Sequence, residues 1–294
     1  MTINYNMKSF LLRIIRKLNF LFPDKLYLQI CYYLEMGKKL DLRNPKTMNE
    51  KLQWLKLYNR KPEYTTMVDK ILVKEYVSKI IGNEYIVPLL GTWNLPHEID
   101  YTTLPDQFVL KTNHSGGNTG VIIVKDKSKL DTEHTIKVLN RSLKSDIYSL
   151  CREWPYKGIN KKILAEKYLG DDLVDYKFYC YNGYVDAVLV CIDRQIGAPK
   201  FYFFDKDWNL KRYNKRGLEA PADFTIPKPC GIDEMFKLAE LLSVGVPFIR
   251  VDFYNVAGKI YFGELTFFPD SGFDKNRLPK SDYHFGEMID LSII

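Results

Sequence analysis

Two apolar, aromatic-rich runs near the carboxyl end of the chain carry the side chains best suited to chemistry. The runs 248–254 and 259–269 flank a short turn, which predicts an antiparallel hairpin. Because side chains alternate faces along a strand, polar residues two apart share a face. The pairs are Arg250 with Asp252, and Glu264 with Thr266. A divalent cation with a polyphosphate would satisfy these charges, and a plain ion pair on a solvated face is the alternative.

A second candidate site is a glycine-rich loop between two predicted strands, 108–111 and 121–124. Its glycines would let backbone N–H groups approach phosphate oxygens, and Lys111 at the strand end could reach the same anion. The glycines are Gly116, Gly117 and Gly120. The loop matches neither a Walker motif nor a dinucleotide fingerprint. A flexible hairpin connection with an extended lysine is the alternative.

Two further segments are ambiguous when taken alone. The apolar run that starts at Ile163 ends in Glu166 and Lys167, and by itself it predicts only an edge strand. Asp175 and Lys177 would share one strand face, where they could form an ordinary surface ion pair.

Composition limits the functional classes. The chain has 294 residues, 46% hydrophobic and 27% charged, with a formal net charge of +7 that suits an anionic ligand or surface. No module with interleaved basic and aromatic residues predicts nucleic-acid binding. The five cysteines contain no C-x-x-C, and the four histidines share no ligand spacing. We therefore expect neither a zinc site nor a disulfide framework.

The N-terminal segment 7–22 combines apolar residues with Arg13, Arg16 and Lys17. These charges interrupt the run, which is too short for a membrane span and unlike the apolar core of a signal peptide. A helix that packs on the rest of the protein is the simpler interpretation. A basic amphipathic helix on an anionic membrane is the alternative.

The order of elements predicts an α+β chain. Up to about residue 82 the pattern is helical, with a capping box at Thr47–Glu50 and a helix over 69–81. A loop-rich connection over 88–105 follows. The later elements are predicted strands at 163–169, 176–181, 184–191 and 201–204, and predicted helices at 131–150 and 233–242. Asn182-Gly183 indicates a tight hairpin turn.

Taken in order, these segments resemble the ATP-grasp superfamily. The loop 108–121 and the hinge 166–169 are similar to those of biotin-carboxylase-type members. The spacing of Arg250, Asp252, Glu264 and position 266 is similar to that of D-alanine ligase-type members. The sequence more closely resembles the teichuronopeptide-biosynthesis-type ATP-grasp family of bacterial surface-polysaccharide gene clusters, often labelled glycosyltransferase. This narrower resemblance rests on the runs 44–54, 69–70, 108–111, 175–179 and 263–267.

The resemblance implies a role for each matched residue. Lys111 and Lys177 would contact phosphates of ATP, and Arg250 would neutralise charge on the transferred phosphoryl group. The segment Ser115 to Gly120 would fold over the nucleotide. The hinge Glu166, Lys167, Tyr168 and Leu169 would hold adenine, and Asp175 lies in a matched run at the same site. Mg²⁺ would be held by Asp252, Glu264 and Thr266, although the superfamily usually has Asn at the last position.

The resemblance also implies an activity: an ATP- and Mg²⁺-dependent carboxylate–amine ligase that works through an acyl phosphate. The expected partners are a sugar carboxylate such as a hexuronic acid, free, nucleotide-linked or lipid-linked, and an amine. A sugar phosphotransferase, a glycosyltransferase using Asp205-Lys206-Asp207, and a non-catalytic nucleotide-binding protein are the alternatives. We expect a cytoplasmic protein, with membrane contact, if any, at the inner face.

We expect an ATP-grasp fold with an N-terminal helical segment, and four regions along the chain. They are an N-terminal helical region (1–66), a linker with the first part of the ATP-grasp fold (67–106), a lid (107–162) and a core with the metal hairpin (163–294). Position alone suggests residues that could line an acceptor pocket. They are Arg152, Glu153, Trp154, Tyr156, Lys157 and the run 270–272.

Overall fold

The computed structural model describes residues 5–117, 119–171, 173–193 and 197–294. Ten helices of five residues or more lie in these ranges. They are α1 (Tyr5–Lys17), α2 (Asp24–Met36), α3 (Met48–Tyr58), α4 (Glu63–Val68), α5 (Leu72–Ile81), α6 (Thr132–Leu143), α7 (Ile147–Cys151), α8 (Lys215–Glu219), α9 (Ile232–Ser243) and α10 (Pro279–Met288).

Ten strands form two antiparallel sheets in the same ranges, which confirms the α+β class. They are β1 (Leu89–Trp93), β2 (Phe108–Thr112), β3 (Ile122–Val124), β4 (Ile163–Lys167), β5 (Asp175–Tyr181), β6 (Tyr184–Ile192), β7 (Lys200–Phe204), β8 (Leu210–Lys211), β9 (Ile249–Val256) and β10 (Lys259–Thr266). The smaller sheet has the order β1-β4-β2-β3 and the larger has the order β10-β9-β5-β6-β7-β8.

The larger sheet is positioned by a core on its faces. On one face α9 packs against β5, β6 and β9, with Phe236 meeting Phe178 edge to face at 5.0 Å between ring centroids. On the other face Tyr179 stacks on Phe285 of α10 at 5.3 Å. These aromatic contacts add directional energy to the burial of apolar area, so the central strands have little freedom to shift.

The N-terminal helices form a separate small core. Leu12 of α1 is buried with Leu28, Cys31 and Tyr32 of α2, so α1 packs on the protein as expected. The next helix, α3, begins with the predicted capping box: the Thr47 side chain accepts from the Glu50 N–H, and Glu50 accepts from the Thr47 N–H. No helix among the described residues is long and apolar enough to cross a bilayer.

Three element predictions need correction. The helix expected over 131–150 is broken between α6 and α7, because the Ser145 hydroxyl donates to the Ser142 carbonyl and Asp146 caps a new helix. The helix expected from Asp69 begins at Leu72, since the Asp69 carboxylate accepts from the N–H groups of Ile71 and Leu72.

The third correction is a strand in a region expected to be loop. Leu89–Trp93 pairs with β4 at the edge of the smaller sheet, with a register shift between Leu89 and Gly91. A glycine at an edge-strand bulge looks like a turn signal in the sequence, which is why the strand was missed. β4 pairs with β1 and β2, which lie before the boundary expected at residue 163. That boundary therefore separates β4 from its sheet partners, and the division into four regions stays a prediction.

Candidate active site

Strands β5, β9 and β10 place the charged residues of the sequence analysis side by side. Across the sheet Lys177 lies opposite Asp252, and Asp252 lies opposite Glu264. Two residues along the same pair of strands, Arg250 lies opposite Thr266. Directly opposed side chains in antiparallel strands are within reach of one another, and a bulge between Phe262 and Glu264 aligns the two predicted pairs on one face.

Arg250 is the centre of this set. Its Nε and Nη2 donate to the two carboxylate oxygens of Asp252, both at 2.7 Å. Nη2 also donates to Glu264 Oε1 and to Thr266 Oγ1, both at 3.1 Å. The bidentate contact fixes the plane of the guanidinium, which stays in place as a preorganised positive group.

Both carboxylates are paired with cations. Asp252 is buried and accepts from Lys177 as well as from Arg250. Burial alone would raise the pKa of Glu264, but the charges of Lys70, Arg250 and Lys177 outweigh it and lower that pKa to about 2. Glu264 is therefore ionised at neutral pH, and its oxygens lie beside those of Asp252.

A second ion-pair cluster lies where the smaller sheet meets α5. Glu166 of β4 bridges Lys74 Nζ, at 2.7 Å, and Lys111 Nζ. Burial raises the pKa of Glu166, and the two lysines lower it further than burial raises it, so the carboxyl group stays ionised. Lys111 lies one residue before the end of β2, and Glu166 is engaged through its side chain.

Lys70 connects the hairpin to the glycine-rich loop, and the charge of Lys111 also lowers the pKa of Glu264, so the two clusters adjoin. The Nζ of Lys70 lies 3.5 Å from Glu264 Oε2 and donates to the carbonyl of Ser115 at 2.7 Å. Sequence reasoning gave no role to Lys70 or Lys74. Lys70 precedes the N-cap of α5 and Lys74 lies in its first turn, so their spacing alone did not indicate a shared role.

Together these groups form one polar cluster of five cationic side chains and four carboxylates. The cations are Lys70, Lys74, Lys111, Lys177 and Arg250, and the carboxylates are Glu166, Asp175, Asp252 and Glu264. Buried ion pairs contribute little net stability, because desolvation offsets their attraction. Such a cluster with a strongly lowered carboxyl pKa is typical of a functional site.

The glycine-rich loop is anchored at its base and open at its tip. Asn113 donates to Asp69 at 2.7 Å and accepts from the Lys162 N–H at 2.8 Å. Ser115 is buried, whereas Gly116 and Gly117 are exposed. Gly120 has φ of +71°, and a Cβ there would lie 2.2 Å from Ser142 Oγ, so this position requires glycine. Asn118 lies outside the described residues.

His114 in this loop is buried between polar groups. Its Nε2 lies 3.2 Å from Ser145 Oγ. Burial, followed by the charge of Lys161, lowers the pKa of His114 to about 4, so the ring is neutral at pH 7. Since the ordinary value is about 6.5, the folded protein binds fewer protons here than the unfolded chain between these two pH values.

We predict a pH dependence of stability that passes through His114. Above pH 6.5 His114 is neutral in both states and costs no stability. As the pH falls from 6.5 toward 4, the unfolded chain takes up a proton that the folded protein does not, so the free energy of unfolding falls. Between pH 7 and pH 5 the unfolding free energy of the wild type should fall by about 2 kcal/mol more than that of His114→Gln. Urea titrations at both values measure this, and exposed His134→Gln is the control. Equal pH dependence in all three proteins would contradict it.

The hinge after β4 borders an open cleft. A cleft of about 710 Å³ has Lys167 and Tyr168 in its lining, with Gln107 and Lys125 of the smaller sheet. Glu166 and the half-buried Leu169 flank these two residues. The cations of the two ion-pair clusters contact carboxylates. The phosphates of a bound nucleotide would therefore have to replace these carboxylates as partners of the cations.

Asp252, Glu264 and Thr266 fit a magnesium ion. Their oxygens are the hard donors that Mg²⁺ prefers, and Thr266 Oγ1 donates to Glu264 Oε1 at 3.2 Å. In the part of the chain that the structure describes, no group of three or more His, Cys, Asp or Glu side chains forms a metal site. Two carboxylates and a hydroxyl suit an ion that completes its shell with phosphate oxygens and water.

The segments suggested as an acceptor pocket are partly brought together. Ser271 donates to Glu153, and the raised pKa of half-buried Tyr156 reflects burial first and then the charges of Glu153 and Glu264. Arg152 turns away: it donates to the carbonyl of Asn19 at 2.6 Å and pairs with Asp24.

The loop after β10 is held by α3 in a strained shape. Asp270 and Ser271 have φ of 49° and 51°, in the left-handed region that favours glycine. Buried Lys56 donates to the Ser271 carbonyl at 2.8 Å, and Gln53 donates to the carbonyls of Ser271 and Gly272, both at 2.9 Å. The run around residues 44–54 therefore supports the loop that follows the metal-binding strand.

The alternative sugar-nucleotide motif is a turn. Asp205 closes the β7–β8 connection, with its N–H donating to the Asn209 carbonyl and its carboxylate accepting from the Asn209 N–H. Trp208 stacks on Phe204 at 4.7 Å. Asp205 is therefore accounted for by local structure, and Asp207 is exposed in the same turn.

Comparison with known proteins identifies a family. A family model described as TupA-like ATPgrasp matches residues 50–290. No curated protein matches the sequence. Solved structures with a similar fold include D-alanine–D-alanine ligase from Helicobacter pylori, at 15% identity and a TM-score of 0.43, covering 84% of this chain and 70% of that one.

Two further structures are similarly distant. N5-carboxyaminoimidazole synthetase from Staphylococcus aureus, complexed with ADP, is 16% identical with a TM-score of 0.46, over 83% of this chain and 56% of that one. D-alanyl-alanine synthetase A from Vibrio cholerae is 16% identical with a TM-score of 0.47, over 84% and 72%. This chain thus spans little more than half the length of the synthetase from Staphylococcus aureus. Likenesses this distant carry no conclusion about activity.

Proposed function

The chain belongs to the TupA-like ATP-grasp family, and from this premise we propose that it is an ATP- and Mg²⁺-dependent carboxylate–amine ligase. The proposed acceptor is a carboxylate on a surface-polysaccharide component, such as a hexuronic acid, and the second substrate is an amine.

One observation carries the proposal. Lys177, Asp252 and Glu264 lie opposite one another on three neighbouring strands, and Arg250 donates to both carboxylates. This arrangement supports phosphoryl transfer because positive groups and oxygen donors converge on one space. Phosphoryl transfer requires mainly positioning and neutralisation of charge, and no protein nucleophile.

In the first proposed step a carboxylate oxygen of the acceptor attacks the γ-phosphorus of ATP, the bond to ADP breaks, and an acyl phosphate forms. Arg250 neutralises charge on the transferred group, and Lys177 lies beside it. Lys111 and Lys74 bind the remaining phosphates when these take the place of Glu166. The loop 115–120 excludes water from the reactive acyl phosphate.

In the second step the amine attacks the acyl carbon, loses a proton, and inorganic phosphate leaves with the former carboxylate oxygen. Mg²⁺ held by Asp252 and Glu264, with Thr266, would neutralise phosphate charge when bound. The segment of Glu153 and Tyr156 with the loop at Ser271 is positioned beside Glu264 and is the proposed acceptor side.

A trapping assay tests the proposal without knowledge of the natural amine. The protein is incubated with ATP, Mg²⁺, a panel of hexuronic acids and hydroxylamine, and we expect a hydroxamate together with equal amounts of ADP and phosphate. ADP with a phosphorylated sugar and no free phosphate would indicate a phosphotransferase instead. Activity with a nucleotide-sugar and no ATP would indicate a glycosyltransferase, and ATP binding without turnover a non-catalytic protein.

The threonine at the position usually held by Asn gives a separate prediction. Thr266 accepts from Arg250 and donates to Glu264, so an oxygen at this position is what the site requires. Thr266→Asn should keep turnover within about tenfold of the wild type, whereas Thr266→Val, which has the same shape without the hydroxyl, should lose about 10- to 100-fold. ATPase rates measure both. Full activity in Thr266→Val would remove Thr266 from the site.

A further inference from the structure

The N-terminal helices leave one face uncovered by any other residue that the structure describes. Leu12 attaches one side of α1 to α2. Large apolar side chains cover the opposite side of α1 and the turn that follows it. They are Met7, Phe10, Leu18, Phe20 and Leu21, with Phe20 75% exposed and Phe10 and Leu21 61%. The spacing of Met7, Phe10 and Leu18 matches one helix face, and Phe20 and Leu21 follow in the turn; these five exposed apolar residues are here called the N-terminal face.

The charged residues of α1, beside the N-terminal face, are all basic. Lys8, Arg13 and Lys17 form no ion pair with any described carboxylate, and Arg16 pairs with Glu35. The first acidic residue of the chain is Asp24, which is neutralised by Arg60 and Arg152. A partner that covers this face must therefore offer both apolar depth and negative charge.

We infer that the N-terminal face docks the protein on a bilayer that contains anionic phospholipid. Exposed Phe and Leu side chains enter the boundary between headgroups and acyl chains, and the lysine and arginine side chains meet the phosphates. A second copy of the same face would bring like charges together, which disfavours self-association through it. Each Lys or Arg near an anionic surface contributes about fivefold to binding.

The N-terminal face is linked to the acceptor side of the site. Arg152 donates to the carbonyls of Asn19 and Phe22, directly behind this face, and the Tyr27 hydroxyl donates to the Leu150 carbonyl. The next residue, Glu153, accepts from Ser271. Docking does not depend on the reaction, but if the proposed function holds, it would bring a lipid-linked acceptor to the site.

Flotation of the full chain with vesicles tests the inference. Vesicles of phosphatidylcholine alone are compared with vesicles that contain phosphatidylcholine and phosphatidylglycerol at low salt. We expect binding to the anionic vesicles only. The variant Phe10→Ser/Phe20→Ser/Leu21→Ser and the variant Lys8→Glu/Arg13→Glu/Lys17→Glu should each bind at least about tenfold more weakly.

Matched controls separate this face from overall hydrophobicity and charge. Leu218, Leu241 and Val244 are exposed to a similar degree elsewhere, and their triple change to Ser should leave binding unchanged. Exposed Lys129, Lys206 and Lys280 changed to Glu alter the net charge by the same amount as the basic variant, again without effect. Thermal unfolding establishes that all the variants are folded.

Several outcomes would overturn the inference. They are no flotation of the wild type with anionic vesicles, equal losses in the controls, or full binding by both N-terminal variants. Sedimentation in the absence of vesicles that shows a dimer abolished by the Phe10/Phe20/Leu21 variant would assign the face to a second copy instead. Because the assay contains no ATP, a negative result leaves the proposed reaction untouched, and a failed trapping assay leaves docking untouched.

Discussion

Replacing Asp252 by Asn is expected to lower ATP-dependent turnover by about a thousandfold. Asp252 binds the guanidinium of Arg250, faces Lys177 and supplies one of the two carboxylates proposed for Mg²⁺. Loss of several kcal/mol of charge stabilisation in the transition state corresponds to this factor. Glu264→Gln should have a similar effect on turnover. Steady-state ADP release measures both.

The two variants should differ in stability. Asp252 is buried, and its removal leaves two cations without a full counter-charge, which costs about 3–5 kcal/mol. Glu264 is one third exposed, so its change to Gln should cost much less. Asp233→Asn, on the exposed side of α9, is the control for both measurements. Turnover near the wild-type rate in folded Asp252→Asn and Glu264→Gln would remove the hairpin from the site.

Arg250→Lys is expected to lower kcat by about a thousandfold while changing ATP affinity by less than tenfold. The charge is kept, but a single ammonium cannot donate to Asp252, Glu264 and Thr266 in one fixed plane. An arginine that stabilises transferred phosphoryl charge contributes about 10³ to 10⁵ in rate. Rapid-quench measurement of ADP formation gives kcat, and calorimetry with a non-hydrolysable ATP analogue gives the affinity.

Measuring both kcat and ATP affinity distinguishes a catalytic role of Arg250 from a purely structural one. A structural arginine would lose stability and affinity together, with kcat reduced in proportion. Arg216→Lys, on the short helix α8 away from the hairpin, serves as the matched control. Equal losses in kcat and in nucleotide affinity would assign Arg250 to binding alone.

Only part of the site's core could be predicted from sequence, because a bulge between Phe262 and Glu264 brings Glu264 to the face of Arg250 and Asp252. The strand period of two pairs Arg250 with Asp252, and Glu264 with Thr266, without knowledge of that bulge. The same holds for the capping box at Thr47, which depends only on local spacing. Such local rules fix which side chains share a face, without knowledge of the rest of the fold.

The remaining parts depend on contacts between distant segments. Lys70 and Lys74 reach the site only because the start of α5 and the segment before it lie beside Glu264 and Glu166, and no local pattern indicates that contact. The bond from Ser271 to Glu153 joins residues 118 apart in the chain. The break between α6 and α7 was missed for another reason: Ser145 and Asp146 compete with the helix through their side chains, against a favourable apolar period.

Isotope transfer tests the proposed reaction most directly. The uronic acid found in the trapping assay is labelled with oxygen-18 in its carboxylate and incubated with the protein, ATP, Mg²⁺ and hydroxylamine. An acyl-phosphate route predicts one oxygen-18 in each molecule of phosphate released, because the carboxylate oxygen that attacks the γ-phosphorus leaves with it. Unlabelled phosphate, with all of the oxygen-18 kept in the sugar product, would contradict a ligase mechanism at this site.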